Sequence, residues 1–365
     1  MNDSKIDFQL SQLAQEIQQG NLPKNADHSD IITKFIEYEC LVPLLTYLKL
    51  LIDNKDKDLS LRYYGILIKV IYENVNDETQ AVEICQKMIE HWKLSFYQTN
   101  FILESKGVIS LLSPNKEADL FEKITENFVN ISDRILSLER VAWIFHKKIH
   151  DDHKLFRVCN KILDIDPSNF YALSYKVELA QQDRSWDDIL NYYHDYLSHS
   201  ATGDSNRNTV VLELAHFYIF VVDQSQKALD LLEEFKIPSF LDTSQISYVA
   251  NLKLGNFSTC HKILDQYLSS QVTIEDLSRV LYKKGELYFK EKKYDLALDS
   301  LKTAFEKNKY HFNSLELIIQ IKIIQKDFSS AKNWIESLNG TGVSLQDQDY
   351  LDKIKESLGK AESYG

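Results

Sequence analysis

The amino-acid sequence predicts an all-α protein built as a solenoid of tandem helical hairpins. Its 365 residues include only 10 glycines and 5 prolines, too few for the many turns of an all-β fold or for long disordered linkers. Apolar side chains recur every three to four residues, as on one face of a helix, and no segment alternates strictly enough to favour a strand. In addition, one short pattern recurs along the chain at a nearly constant interval.

The recurring pattern is a large residue, a small residue three positions later, and another large residue four positions after that. Its clearest copy is Tyr294, Ala297 and Leu301, and a second clear copy begins at Phe328, 34 residues later. The middle residue, which we call the anchor, is small in six copies and Leu or Ile in three. In order along the chain the anchors are Leu44, Ala81, Ala118, Leu155, Ile189, Ala228, Cys260, Ala297 and Ala331. Anchors lie 32 to 39 residues apart, an interval typical of solenoids in which each repeat is one supersecondary unit.

Each repeat is expected to contain two helices. Residues 278–291 predict a first helix with Gly285 on its apolar face, and residues 294–307 predict a second after the polar break EKK. Gly285 and Ala297 are small, which would let the two helix axes approach to about 8–10 Å where they cross. Ala304 is expected at the contact with the next repeat.

These positions resemble the tetratricopeptide repeat (TPR). Gly285, Tyr288 and Ala297 stand where that family has its glycine, its tyrosine and its first alanine, and the likeness is clearest over residues 136–200 and 278–338. The resemblance implies a right-handed α-solenoid of about seven to nine hairpins, in which the first helix of each hairpin lines a concave groove. Before residue 120 the copies are weaker and fit either degenerate repeats or helical hairpins of another kind.

Three regions are predicted along the chain. Residues 1–60 form an N-terminal helical segment, either a degenerate repeat or a cap, and residues 61–338 form the TPR-like solenoid. Residues 339–365 form a C-terminal capping helix and tail, because NGTGVS interrupts the helical run and an amphipathic segment follows it. A charged outer side on that last helix is what the end of a solenoid requires.

Charge and cysteine usage restrict the partners and the compartment. The net charge of −12 makes a phosphate backbone an unfavourable partner, so no nucleic acid is expected. The four cysteines are widely spaced and are expected to be free thiols in a reducing compartment. The first twenty residues contain no apolar run of signal-peptide length, and VVLELAHFYIFVV is too short and too polar to span a bilayer. A cytoplasmic protein without membrane insertion is predicted.

The segment HKKIHDDH is the most suggestive cluster of metal-ligand types. On a continuous helix His146 and His150 would share a face, and His153 follows in the turn. Without a second ligand set, a solvated helix end is the preferred interpretation, and no metal or cofactor is predicted. The sequence also lacks G-x-S-x-G, H-E-x-x-H and C-x-x-C motifs, and we expect no enzymatic activity.

The TPR resemblance implies groove positions that would contact a partner. These are Arg279, Tyr282, Glu286, Phe289 and Lys290 in one repeat, Glu316, Gln320 and Ile323 in the next, and Glu213, Phe217 and Phe220 in an earlier repeat. Exposed aromatic residues flanked by charges suit the binding of a peptide or helix. The apolar members would equally fit repeat packing. The glutamates would repel a carboxylate, which argues against the C-terminal-carboxylate receptors of this family.

The predicted function is a non-catalytic scaffold or adaptor that binds a partner protein or peptide through this groove. A peptide-sensing regulator and, less favoured by the charge, an RNA-binding helical-repeat protein are the alternatives. A further alternative is a subunit of an enzyme whose chemistry resides in another chain. The sequence leaves the oligomeric state and the identity of the partner open.

Overall fold

The structure is a computed structural model. It describes residues 3–20, 22–23, 27–53, 57–75, 77–237, 241–269, 273–308, 311–336, 352–353, 355–356 and 358–360. These residues form helices and turns without any strand, as predicted. The chain divides into two compact units, Met1–Arg207 and Asn208–Gly365.

The first unit contains helices α1 to α12. Their bounds are α1 Asp3–Gln18, α2 His28–Glu37, α3 Leu41–Ile52, α4 Lys57–Val70, α5 Glu78–Trp92, α6 Phe96–Ser105, α7 Val108–Leu111, α8 Pro114–Ile124, α9 Ile131–Ile144, α10 Asp152–Ile165, α11 Phe170–Gln182 and α12 Trp186–His199. Single π-helical turns at Ile71–Val75 and Phe145–Ile149 extend α4 and α9, and a 3₁₀ turn at Thr125–Asn127 extends α8.

The second unit contains helices α13 to α20, and α13 begins one residue before the boundary. Their bounds are α13 Arg207–Phe220, α14 Ser225–Glu234, α15 Leu241–Lys253, α16 Phe257–Ser269, α17 Ile274–Lys290, α18 Tyr294–Lys307, α19 Phe312–Ile324 and α20 Phe328–Glu336. Helix α18 has the bounds that the sequence predicts, and α17 begins four residues earlier than predicted.

Consecutive helices form hairpins, and consecutive hairpins stack within each unit. The two helices of a hairpin contact each other in α2/α3, α4/α5, α9/α10, α11/α12, α15/α16, α17/α18 and α19/α20. The second helix of one hairpin packs against the first helix of the next in α3/α4, α10/α11, α16/α17 and α18/α19. Short turns between packed helices make the neighbours antiparallel. The tandem-hairpin, α-solenoid arrangement predicted from the sequence is therefore present in both units.

All nine anchors confirm the predicted repeat register. Each lies on the second helix of a hairpin and is only 0–1% exposed. Because Leu44, Ala81 and Ala118 are as deeply buried as the later anchors, the region before residue 120 consists of hairpins built on the same plan. The α6–α8 segment differs, because the short helix α7 lies between α6 and α8, and α6 packs against α4 and α9.

A left-handed backbone residue ends the first helix in seven hairpins of the described chain. It stands five positions before the anchor, with φ between 53° and 75°, and is Glu39, His150, Arg184, Asp223, Gly255, Lys292 or Lys326. In several hairpins the following N–H then bonds to a carbonyl five residues back, as Lys293 does to Tyr288 at 2.9 Å. This is the Schellman arrangement, which satisfies the free carbonyls at a helix end and reverses the chain.

Close approach of the two helices is evident in the α17/α18 hairpin. A Cβ atom on Gly285 would lie 2.5 Å from Cγ of Leu301 and 3.3 Å from the carbonyl oxygen of Ala297. Any side chain at position 285 would therefore collide with the second helix, as the sequence predicts for this glycine. Ala297 and Ala304 are both fully buried.

The predicted capping helix falls mostly on residues outside the described ranges and stays a prediction. Of the described residues in that region, Leu358 is buried in a cluster with Phe305, Leu315 and Ile335. The three-region division of the chain and the right-handed sense of the stack likewise stay predictions.

Candidate partner-binding groove

Helices α17 and α19 form the centre of the predicted groove. They are the first helices of consecutive hairpins and pack against each other in the second unit. Thr273 is the N-cap of α17, and its hydroxyl accepts a hydrogen bond from the N–H of Asp276 at 3.1 Å. Glu275 and Asp276 in its first turn and Lys290 in its last complement the helix dipole. The groove residues thus project from two regular, adjoining helices.

Tyr282 and His311 form an aromatic pair in this groove. Their ring centroids lie 4.9 Å apart, and both side chains are half-buried. Burial, reinforced by the positive charge of Arg279, lowers the pKa of His311 below its ordinary value of 6.5. The imidazole is therefore uncharged at neutral pH, and with Tyr282 it presents a half-apolar surface.

Carboxylates flank the aromatic pair. Burial raises the pKa of Tyr282, and the negative charges of Glu286 and Glu316 raise it further. The hydroxyl consequently stays protonated and can donate a hydrogen bond to an acceptor on a partner. Glu286 itself forms ion pairs with Lys283 at 3.1 Å and Lys290 at 4.0 Å.

Two of the predicted groove residues serve mainly in repeat packing. The ring of Phe289 lies 5.9 Å from that of Tyr294 and joins the hydrophobic cluster around Ala297. Ile323 packs against the cluster that contains Leu315. Gln320 is exposed on α19. The contacts of Phe289 and Ile323 therefore fit repeat packing, which the sequence left open, better than partner binding.

Helix α13 exposes two of its three predicted groove residues. Glu213 and Phe220 are exposed, and the Phe220 ring lies 4.3 Å from that of His216 and 5.9 Å from Nζ of Lys253. Phe217, in contrast, is buried and cannot contact a partner from the groove surface. Since α13 is apolar around most of its circumference, its sequence pattern does not show which aromatic side chain points inward.

Tyr248 on α15 is a residue near the groove that the sequence interpretation missed. It stands twelve residues before its anchor, the place that Gly285 occupies in the next repeat. Burial and the negative charge of Glu286 raise its pKa. A tyrosine at the position that Gly285 occupies in the following repeat was the signal in the sequence that would have revealed it.

The histidine cluster is rearranged relative to its prediction. Nε2 of His146 lies 3.7 Å from Oε2 of Glu178, and its ring lies 4.8 Å from that of Tyr175. His150 does not share a helix face with His146, because the helix ends there in the left-handed turn. Within the described ranges, no three His, Cys, Asp or Glu side chains are grouped as a metal site would require.

The cysteines are free thiols, and most are core residues. Cys85, Cys159 and Cys260 are fully buried, whereas Cys40 is half-buried at the start of α3. Burial raises the pKa of Cys85 and of Cys159 to about 12. Both thiols are therefore protonated at neutral pH and are poor nucleophiles.

Within the described ranges, no helix combines the length and the apolarity needed to span a bilayer.

No protein-family model matches the chain, and no curated protein is significantly similar to it. Among solved structures, the APC/C hetero-tetramer Cut9–Hcn1 matches with 12% identity and a TM-score of 0.35, covering 97% of this chain and 73% of that one. Yeast Tom70 matches with 13% identity and a TM-score of 0.38, covering 99% of this chain and 73% of that one. Structural similarity at these identities and TM-scores decides nothing about function. The evidence for TPR-like hairpins is the chain's own helices, helix contacts and buried anchors.

Proposed function

We propose that the chain is a non-catalytic scaffold or adaptor that binds a partner protein or peptide through the groove on α17 and α19. The observation that supports this most is the Tyr282–His311 pair, half-buried and surrounded by Arg279, Glu286 and Glu316. Aromatic and arginine side chains dominate the binding energy of protein interfaces, and charges around them provide specificity.

The groove offers several kinds of contact to a folded helix or an extended segment. Tyr282 supplies a protonated hydroxyl, and the ring of uncharged His311 supplies apolar surface. The ion pairs of Glu286 with Lys283 and Lys290 are solvent-accessible, so each member can exchange its partner for a charged group on another protein. A cytoplasmic location without cofactor or metal is part of the same proposal.

The test is affinity capture of the tagged full-length protein from its native host, with groove variants beside it. Tyr282→Ala combined with Glu316→Lys is expected to lose a specific partner that the unmodified protein retains. Glu306→Lys is the matched control, because Glu306 is exposed on α18, the second helix of its hairpin, and the charge change is the same. Thermal unfolding of each variant checks that the fold is intact.

Two outcomes would contradict the proposal. One is a partner that is retained equally by the groove variant and the control, which would place binding on another surface. The other is the absence of any protein that co-purifies in stoichiometric amount under mild cross-linking.

A further inference from the structure

A cleft of about 340 Å³ opens between α15, α16 and α17 in the second unit. Its apolar walls are formed by Tyr248, Val249, Ile263, Leu264, Tyr267 and Val280. This volume is near the lower end of the range of about 300–1,000 Å³ typical of ligand sites. It suits one large side chain with its flanking backbone better than a large cofactor.

The cleft has a cause in the repeat pattern. In the α17/α18 hairpin, Gly285 lies directly against Leu301, which stands four residues after the anchor. In the α15/α16 hairpin the corresponding residues are Tyr248 and Leu264, and both line the cleft. A phenol ring needs space that the glycine does not. The large residue at this position therefore coincides with the cleft between α15 and α16.

The hydroxyl of Tyr248 is a second, independent sign of a ligand. Tyr248 is 7% exposed, and among the described residues its hydroxyl has no hydrogen-bond partner. A buried polar group without a partner is costly, and native proteins rarely retain one without a role. Because burial keeps this phenol protonated, its hydroxyl is a hydrogen-bond donor without an acceptor, on a residue that lines the cleft.

The charges of the cleft wall indicate the chemistry of that ligand. Two cations, Arg279 and Lys283, and one carboxylate, Asp276, line it, although the whole chain carries a net charge of −12. The pairs of Arg279 with Asp276 at 3.7 Å and of Lys283 with Glu286 at 3.1 Å are solvent-accessible and hence weak. An incoming carboxylate can replace either internal partner.

We propose that this cleft receives one large apolar side chain from an acidic peptide segment of a partner protein. In that complex the hydroxyl of Tyr248 donates to a carbonyl oxygen of the peptide, and Arg279 and Lys283 face its carboxylates. The proposal rests on the proposed function and adds to it the site and the chemistry of the partner segment.

Fluorescence anisotropy of labelled nine-residue peptides with the full-length protein tests it. One peptide has a central Trp flanked by Glu residues, a second has the same Trp flanked by Lys, and a third has Ala in place of Trp between Glu residues. The first is expected to bind, and the other two to bind at least about tenfold more weakly. Equal binding of the first two peptides, or no binding of any, overturns the proposal.

Variants of the protein separate a ligand site from a packing defect. Tyr248→Phe is expected to weaken the acidic Trp peptide about 2- to 10-fold while leaving the melting temperature equal or higher. The double variant Arg279→Glu, Lys283→Glu is expected to abolish binding of this peptide. The control is the double variant Lys262→Glu, Lys307→Glu, which makes the same charge change at exposed positions outside the cleft wall. A more stable Tyr248→Phe variant with unchanged affinity overturns the proposal.

The two proposals fail separately. If the peptides do not bind but partner capture still depends on Tyr282 and Glu316, the cleft proposal falls and the scaffold proposal stands. If the peptides bind as expected but partner capture is unaffected by Tyr282→Ala with Glu316→Lys, the cleft proposal stands and the groove proposal falls. The cleft is then the principal binding surface of the scaffold.

Discussion

The buried carboxylate of Glu117 accepts two hydrogen bonds from the guanidinium of Arg140, at 2.6 and 3.1 Å. Lys148 donates a third, at 2.6 Å, to the other carboxylate oxygen. Glu117 is on α8, whereas Arg140 and Lys148 are on α9 and on the π-helical turn that extends it. This cluster fixes the third hairpin to the fourth, at the point where the regular pattern of the early repeats is weakest.

Replacing Glu117 is predicted to destabilise the first unit. Its side chain is 2% exposed, and Glu117→Gln leaves two cations without their anion, at an expected cost of about 1–3 kcal/mol. The control is Glu126→Gln, because Glu126 pairs with Arg134 at 3.1 Å but is 77% exposed, so its loss is expected to cost under about 1 kcal/mol. Urea denaturation of both variants measures the difference. Equal small effects would show that the cluster does not stabilise the hairpin contact.

The left-handed turn residues predict stabilising substitutions. Lys292 has φ of 61°, a conformation that costs a non-glycine residue about 1–2 kcal/mol. After allowance for the greater flexibility of glycine in the unfolded chain, Lys292→Gly is expected to gain about 0.5–1 kcal/mol. Lys302→Gly, inside α18, is the control and is expected to lose about 1 kcal/mol. A lower melting temperature for Lys292→Gly would refute the role of this position.

Overpacking at an anchor is predicted to be destabilising. Ala297 is fully buried, and its carbonyl lies near Gly285 where the two helices cross. Ala297→Trp is expected to force the helices apart at a cost of about 1–3 kcal/mol. Ala201→Trp, in an exposed turn, introduces the same side chain without this contact. Differential scanning calorimetry compares the two, and an unchanged transition in Ala297→Trp would contradict the anchor assignment.

The environment of Glu291 predicts a pH dependence of stability. Burial alone would raise the pKa of this carboxyl, but the ion pair with Lys293 at 2.6 Å and the charge of His261 at 3.3 Å hold it below 4.5. A group whose pKa is lower in the folded state stabilises the fold above its unfolded pKa. That contribution disappears as the pH falls through the folded value.

The measurement is the free energy of unfolding of the unmodified protein and of Glu291→Gln at pH 7, 5 and 3. The variant is expected to be less stable at pH 7 and 5, and the difference is expected to shrink at pH 3, below the ordinary pKa of 4.5. Asp299→Asn, exposed on α18, is the control for general charge effects. A difference that is constant across the three pH values would exclude a titration of Glu291.

The sequence predicted the repeat register because burial at the anchors is enforced by close packing of two helices. The anchors are Ala or Cys in six repeats and Leu or Ile in three, so an apolar residue at this position survives even where the flanking residues vary. The hairpin turns were not predicted, because the left-handed position is occupied by glycine only at Gly255 and elsewhere by residues such as Arg184 and Lys326. The Schellman hydrogen bonds tolerate these residues at a modest energetic cost, so composition does not reveal them.

The candidate groove was predictable only in part. The groove positions on α17 are those that the TPR resemblance implies, and Tyr282 and Glu286 lie near each other as expected from their spacing on one helix. The burial of Phe217 was not predictable, because α13 is apolar on nearly all sides and tertiary packing alone selects the inward face. The aromatic contact between Tyr282 and His311 joins separate hairpins, and its geometry depends on how α19 packs against α17.

The most direct test of groove binding is a map of the lysines that cross-link to a partner in the native host. The proposal predicts that one dominant protein links to Lys283 and Lys290, on α17 beside Glu286, and that Tyr282→Ala with Glu316→Lys abolishes those links. Links confined to lysines of the second helices, such as Lys302 and Lys307, and unaffected by the groove variant would contradict it.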